Sequence, residues 1–152
     1  MKRIIALYDR GVVLAAGRIP EAIALLLLRL ALAGVFWRSG QTKVVDGGVL
    51  QIDPAQYDLF ASEFSGLPFD PALAVPLTTY AEHLFPILLL LGLATRLSAG
   101  ALLAMTLVIQ LFVFPDAWWP VHSLWVAMAA ILIVRGGGLF SLDAIIARLR
   151  RR

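Results

Sequence analysis

Four apolar runs, each bounded by charged residues, glycine or proline, divide the chain, at about 20–37, 77–94, 97–114 and 118–134. Each holds roughly 17–20 residues, enough as an α-helix to cross a hydrocarbon core about 30 Å thick. A helix satisfies its own backbone hydrogen bonds, which lipid requires. The pattern predicts an all-α integral membrane four-helix bundle with short interfacial helices. It forms one domain over 1–152, with an external loop at 38–76. Pro20 and Glu21 open the first run, a proline and an acid in a first helical turn.

Shorter periodicities predict three surface helices. Near the N-terminus, Ile4, Ile5, Tyr8, Val12, Ala15 and Ile19 share a face, with Lys2, Arg3 and Arg10 opposite. That pattern suits a helix lying on an anionic leaflet. At the C-terminus, Ser141 is placed to cap a helix whose Leu142, Ile145, Ile146 and Leu149 face lipid. In the external loop, Asp53 and Pro54 read as a cap and a first-turn proline. Tyr57, Phe60, Ala61 and Phe64 then form one apolar stripe, as expected of a short helix lying over the mouth of the bundle. Asp70 and Pro71 repeat the start signal and open the second span early.

Composition agrees with a membrane setting. Hydrophobic residues make up 61% of the chain, whereas soluble domains are usually about 45–50% apolar. The chain has no cysteine, which removes disulfides, thiolate metal sites and thiol nucleophiles. The net charge of +3 gathers at the ends of apolar runs, so no nucleic-acid partner is expected. Its distribution sets an orientation. Lys2, Arg3, Arg10 and Arg18 precede the first span, Arg96 lies between the second and third, and Arg135, Arg148, Arg150, Arg151 and Arg152 follow the fourth. The opposite side has Arg38 and Lys43, with Asp46, Asp53, Asp58, Glu63 and Asp70. Both termini and the tight Thr95–Arg96 turn are therefore expected in the cytoplasm. The first run carries Arg29 and ends without a small-residue cleavage site, so it is expected to stay as a span rather than leave as a signal peptide.

Ionisable groups inside a bilayer are costly, so each needs a partner or a task. Counted from the outer ends of their spans, Arg29 lies roughly 11 Å deep and Glu82 roughly 9 Å. A salt bridge between them is expected. Pro86 has no N–H, which leaves the Glu82 carbonyl for Arg29 or His122 to satisfy. Arg29, Ala33, Phe36, Gly40 and Lys43 share one face of the first span if the helix continues past Trp37. Ala99, Leu103, Thr106 and Gln110 share a face of the third, and Trp118, His122, Trp125, Ala129 and Gly136 a face of the fourth. Arg29, Glu82, Gln110, His122 and Trp125 are thus the candidate ligand-binding residues of an outer-half pocket. Trp37, Trp118 and Trp119 read instead as an interfacial belt. His83 points about 100° away from Glu82 around the helix, toward a neighbouring helix or headgroups. No metal site is expected, since no ligand spacing such as His-x-x-x-His is present. No phosphate loop, dinucleotide fingerprint or Ser–His–Asp pattern appears.

The stretch LLLRLALAGVFWRSGQTKV, from Leu26 to Val44, resembles the first helix of the DoxX family of small bacterial membrane proteins, through Arg29, Gly40, Gln41 and Lys43. AEHLFPILLLLGLATRLSAGALL, from Ala81 to Leu103, is similar to its second signature, with Glu82 and a turn marked by Gly92, Thr95 and Arg96. GGGLFSLD resembles the closing motif, with Gly138, Ser141, Leu142 and Asp143. Arg38, His83, His122 and the long external loop depart from the pattern. The resemblance implies a four-helix bundle in the bacterial cytoplasmic membrane, with Gly40, Lys43, Pro86, Thr95, Arg96 and Asp143 as structural motif positions.

For function the resemblance implies less, because a fold does not carry a reaction. Some relatives are subunits of quinone-linked sulfur-compound oxidoreductases, and others belong to oxidative-stress or metal-stress systems. The leading expectation is a membrane subunit of a quinone-linked or stress-related oxidoreductase system. Quinone would be the cofactor, seated in the outer-half pocket and accepting hydrogen bonds from Arg29 and His122. The chain has no residue that readily carries electrons, so a partner oxidoreductase or other subunit is expected. A homo-oligomer is compatible with the sequence. The alternative is a membrane scaffold or transport module for a small solute, metal or exported peptide, without redox activity.

Overall fold

Each apolar run folds as a helix, and capping residues rather than hydropathy set both ends of the second span and the start of the last surface helix. The structure, a computed structural model, describes residue 3, residue 5, and residues 12–14, 16–47 and 50–151. The expected N-terminal surface helix falls mostly outside the described residues. Helix α1 spans Arg18–Gln41. A short lid helix, α2, spans Ala55–Ser62, and α3 spans Pro71–Leu91. Helix α4 covers Thr95–Phe112, α5 covers Ser123–Arg135, and α6 covers Leu142–Leu149. Among the described residues, four helical segments are long and apolar enough to cross a membrane: α1, α3, α4 and Pro115–Arg135. The chain is a multi-pass, all-α membrane protein.

The early start of α3 follows from Asp70, whose carboxylate accepts the Ala72 N–H at 2.7 Å, with Pro71 in the first turn. Its end is set by Gly92, at φ 65°. There Leu93 donates to the Leu88 carbonyl at 2.9 Å and Gly92 to Leu89 at 3.0 Å, the paired bonds of a Schellman ending. The tight turn therefore lies at Gly92–Ala94, and Thr95 and Arg96 already belong to α4. The fourth span opens with a π-helical turn, Trp118–His122, in which Ser123 donates to the Trp118 carbonyl.

Helix α1 packs on α3, α3 on α4, α4 on α5, and α5 back on α1. Lipid is as apolar as a leucine side chain, so close van der Waals packing and small residues hold such a bundle. The buried stripe of α1 is Ala22, Leu25, Arg29, Leu32, Ala33, Phe36 and Gly40. It meets Leu89, Ala99, Leu102, Ala129 and Leu132 in one central cluster.

The first turns of α3 stand above the end of α1. There Ala74 and Val75 pack with Phe60 of the lid, beside Ile52, Phe64 and Leu67. Asp53 accepts the Ala55 N–H at 2.9 Å, as a start signal should. Phe60 is buried and stacks on Phe64, with centroids 4.6 Å apart. The lid helix is shorter than the expected stripe, and Phe64 lies beyond its end. Tyr57, expected to pack inward, is 38% exposed. At the opposite end Ser141 caps α6 by accepting the Ala144 N–H at 3.2 Å. Leu142, Ile145, Ile146 and Leu149 are exposed, as expected of a helix lying on a membrane surface.

Candidate functional site

The buried polar residues form two clusters at different depths, rather than the one that was expected. Gly40 sets the level of the first. A Cβ there would stand 2.9 Å from His83 Cε1 and 3.2 Å from Glu82 Cβ, so only glycine lets α1 and α3 approach this closely. Glu82 is buried and pairs with Lys43, whose Nζ donates to Oε2 at 2.6 Å. Ser39 Oγ donates to Glu82 Oε1 at 3.1 Å and accepts from Lys43 Nζ at 3.0 Å. Lys43 lies just past the end of α1. It is held there because Asp53 donates its N–H to the Lys43 carbonyl at 3.0 Å, beside an isolated bridge between Val44 and Ile52.

The expected Arg29–Glu82 pair does not form. Arg29 precedes Gly40 by roughly eleven residues, so it lies about 16 Å farther down the bundle. Its Nη1 donates to the Leu89 carbonyl at 3.3 Å and its Nη2 to the Phe140 carbonyl at 2.5 Å. The equal depths expected from sequence assumed that both helices start at the same outer plane. Helix α3 instead rises past α1 to meet the lid. The Glu82 carbonyl freed by Pro86 is bonded by neither Arg29 nor His122.

The second cluster ties the tail to the α3–α4 turn. A Cβ on Gly92 would stand 2.1 Å from Arg29 Nη1, so glycine is required there by space as well as by its positive φ. Asp143 Oδ1 accepts the Ala94 N–H at 2.8 Å, and Oδ2 accepts the Thr95 N–H at 2.9 Å. The carboxylate thus caps α4 from another segment and holds Ala94 at φ 48°, a left-handed conformation rare for a non-glycine residue. Thr95 is fully buried, whereas Arg96 is exposed and reaches over Gly136. Arg29, Gly92 and Asp143 therefore form a structural knot. An open cleft of about 580 Å³ lies beside it, lined by Arg96, Arg135 and Asp143. Arg135 already pairs with Glu21.

At the lid end the helices enclose a cavity of about 530 Å³. Phe36, Phe60, Phe64, Phe85, Met105 and Trp125 supply apolar wall, and Ser39, Lys43, Thr78, Glu82 and His122 are its polar members. Of the expected pocket residues, Glu82, His122 and Trp125 line it. Gln110 stands behind His122, and Arg29 is elsewhere. Gln110 Nε2 donates to the Pro115 carbonyl at 2.6 Å, which leaves Oε1 facing His122 Nδ1 at 2.7 Å. An amide oxygen can only accept, so Nδ1 carries the proton, and Nε2 of the neutral ring is an acceptor. Nε2 makes no hydrogen bond among the described residues. The ring packs against Trp125, with centroids 5.0 Å apart.

His83 has a structural place. Nδ1 donates to the Thr79 carbonyl at 2.7 Å, Nε2 accepts from Gln41 at 3.0 Å, and Trp37 meets the ring edge-on. Among the described residues no three His, Asp or Glu side chains gather as a metal would need. Lys43 as the partner of Glu82 was the residue missed. Its signal was the shared face with Gly40, which only a helix running past Trp37 makes visible.

Fold and site together define a small four-span bundle with an aromatic, lid-covered cavity at one end. Residues 24–115 match the DoxX family, and the chain belongs to it. It is also 31% identical over 146 residues to an uncharacterized protein of Haemophilus influenzae, a match covering 86% of this chain and 88% of the relative. No solved structure matches the chain.

Proposed function

We propose that this chain is a quinone- or quinol-binding membrane subunit of an oxidoreductase system, lying in the bacterial cytoplasmic membrane with both termini inside. The observation that carries this reading is the free acceptor His122 Nε2 in a mainly aromatic and aliphatic cavity whose other polar side chains are bonded to protein groups. A flat, apolar ring bearing hydroxyl or carbonyl groups fits those walls. The polar contacts differ from those expected from sequence. Arg29 cannot donate, and His122 accepts rather than donates. The reduced form is favoured, because its O–H can donate to Nε2, whereas the N–H groups of Lys43 and the O–H of Ser39 are already spent on Ser39 and Glu82.

A quinol held there would supply electrons to a partner protein, since the chain has no group that readily carries them. His122 Nε2 is the acceptor for one O–H, with Gln110 holding the ring in place. The rival reading, transport of a hydrophilic solute, has less support. Lys43 and Glu82 already satisfy each other, so such a solute would find one free imidazole among apolar walls.

The test is quenching of Trp125 fluorescence by a soluble quinol in the purified, reconstituted protein, with Trp125→Phe as the control. His122→Phe keeps the ring volume and removes the acceptor. It is expected to weaken quinol binding about tenfold, corresponding to roughly 1.4 kcal/mol for one buried hydrogen bond. Unchanged affinity would remove the quinol reading.

A further inference from the structure

We infer that the cavity opens sideways into the bilayer, through a slot between α3 and α4, and that its ligand carries a long apolar tail lying in that slot. This rests on the proposed function for the head group and adds how the ligand enters and what class of molecule it is. Helices α3 and α4 form an antiparallel hairpin closed at Gly92–Ala94. Toward the lid end, Thr78, Ala81 and Phe85 on α3 and Ala101, Ala104 and Val108 on α4 all line the cavity. Each set is spaced i, i+3, i+7, one stripe of its helix. The two stripes extend for roughly 10 Å along the bundle.

Ala104 lines the cavity and is also exposed on the outer surface of the bundle. Leu77 does the same, at 60% exposed. The cavity therefore reaches the lipid-facing surface at this seam. The other three seams are plugged at cavity level. Between α1 and α3 stand the Gly40–His83 approach and the Lys43–Glu82 pair. Phe36 meets Trp125 between α1 and α5, with centroids 5.6 Å apart. Gln110 bonds His122 between α4 and the start of the fourth span. The stacked Phe60 and Phe64, with Phe114 edge-on to Phe64, lie over the lid end, where the lining residues Phe69 and Phe114 are themselves exposed.

The slot has no charge, and its one polar side chain, Thr78, is spent on the Ala74 carbonyl at 2.8 Å. Three of its six side chains are alanine, and Phe85 is its one bulky member. An isoprenoid or long alkyl chain fits these walls, and because lipid is as apolar as the slot, close van der Waals packing rather than transfer out of water would hold it there.

The experiment compares a long-tailed and a tail-less quinol of the same head group on the protein in nanodiscs, read by Trp125 quenching. Ala104→Phe narrows the slot from its exposed rim without overpacking the core. Leu107→Phe, exposed on α4 outside the cavity lining, controls for added bulk. The expected result is at least tenfold weaker binding of the long-tailed quinol in Ala104→Phe, with the tail-less one changed less than twofold and Leu107→Phe neutral toward both. Equal effects on both quinols, or none, overturn the slot.

If neither quinol binds the unmodified chain, the head-group proposal fails. The slot is then judged by brominated acyl chains in the triple variant Trp37→Phe, Trp118→Phe, Trp119→Phe. Quenching of Trp125 that Ala104→Phe relieves keeps the slot as a seat for a lipid acyl chain. Absence of quenching overturns it.

Discussion

Lys43 and Glu82 make the most direct test of the reasoning about the bundle. Both side chains are nearly excluded from the surface, at 10% and 3% exposed, and Lys43 Nζ reaches Glu82 Oε2 at 2.6 Å. Removing one partner of such a pair leaves the other charge uncompensated and costs about 3–5 kcal/mol in soluble proteins. Lys43→Met keeps most of the stem and deletes the charge, so Glu82 retains only the Ser39 hydroxyl. A loss of about 3 kcal/mol is expected, near 150-fold in the unfolding equilibrium. Glu82→Leu alone is expected to cost a similar amount. The double variant should recover much of that loss, because replacing both partners of a buried pair by apolar groups is often neutral. The coupling energy should then be about 2 kcal/mol or more, against about 0.5 kcal/mol for independent sites. Unfolding of the micellar protein by increasing dodecyl sulfate, followed by tryptophan fluorescence, measures all four corners of the cycle. The parallel cycle of Arg29→Met and Glu82→Leu should show no coupling beyond that limit, since Arg29 bonds the Leu89 and Phe140 carbonyls instead. Strong Arg29–Glu82 coupling with none for Lys43–Glu82 would refute the two-cluster description.

The remaining predictions concern the turn end and the topology. Gly92→Ala places a Cβ 2.1 Å from Arg29 Nη1 at φ 65°, and the left-handed backbone with a displaced buried guanidinium should cost about 3 kcal/mol or more in the same unfolding assay. A loss under about 1 kcal/mol would count against the knot. Asp143→Ala leaves the Ala94 and Thr95 N–H groups without their acceptor, with an expected cost of about 1–3 kcal/mol; Asp143→Asn, which keeps one acceptor, should cost less. A reporter active only outside the cytoplasm should be silent when fused after Arg152 and active when inserted near Gly47, and the reverse pattern would invert the proposed orientation.

The spans were legible in sequence because apolar runs of this length admit few other structures. The caps at Asp70 and Ser141 were legible for a local reason, since each contacts a backbone N–H two or three residues onward. The polar pairing was misread because it depends on how far one helix is displaced along another, which hydropathy does not encode. The depth count took the outer ends of the first two spans as level. The lid then mattered: packing Phe60 on Ala74 and Val75 requires several turns of α3 to stand above α1. That offset moves Glu82 away from Arg29 and beside Lys43. The role of Asp143 as a cap for α4 was equally invisible, because the contact joins residues 49 positions apart. The tautomer of His122 follows only once Gln110 is seen to be held by Pro115.

The same geometry limits what family membership says about the ligand. The DoxX match covers residues 24–115 and ends where the fourth span begins. It includes Arg29, Lys43, Glu82 and Gly92, which fix the contacts of α1 with α3 and the base of the hairpin. His122 and Trp125 lie beyond it, and they bring to the cavity its free acceptor and its flat wall. Two members alike over the matched residues can therefore share the bundle and still differ at the group that meets a ligand. Gln110, inside the match, fixes the tautomer only when a histidine stands opposite it. Without that histidine the same cavity would be an apolar chamber with a satisfied ion pair, suited to a lipid chain and not to a hydrogen-bonding head group. The pairing of residue 110 with residue 122, rather than family membership alone, is what supports the proposed quinol reading.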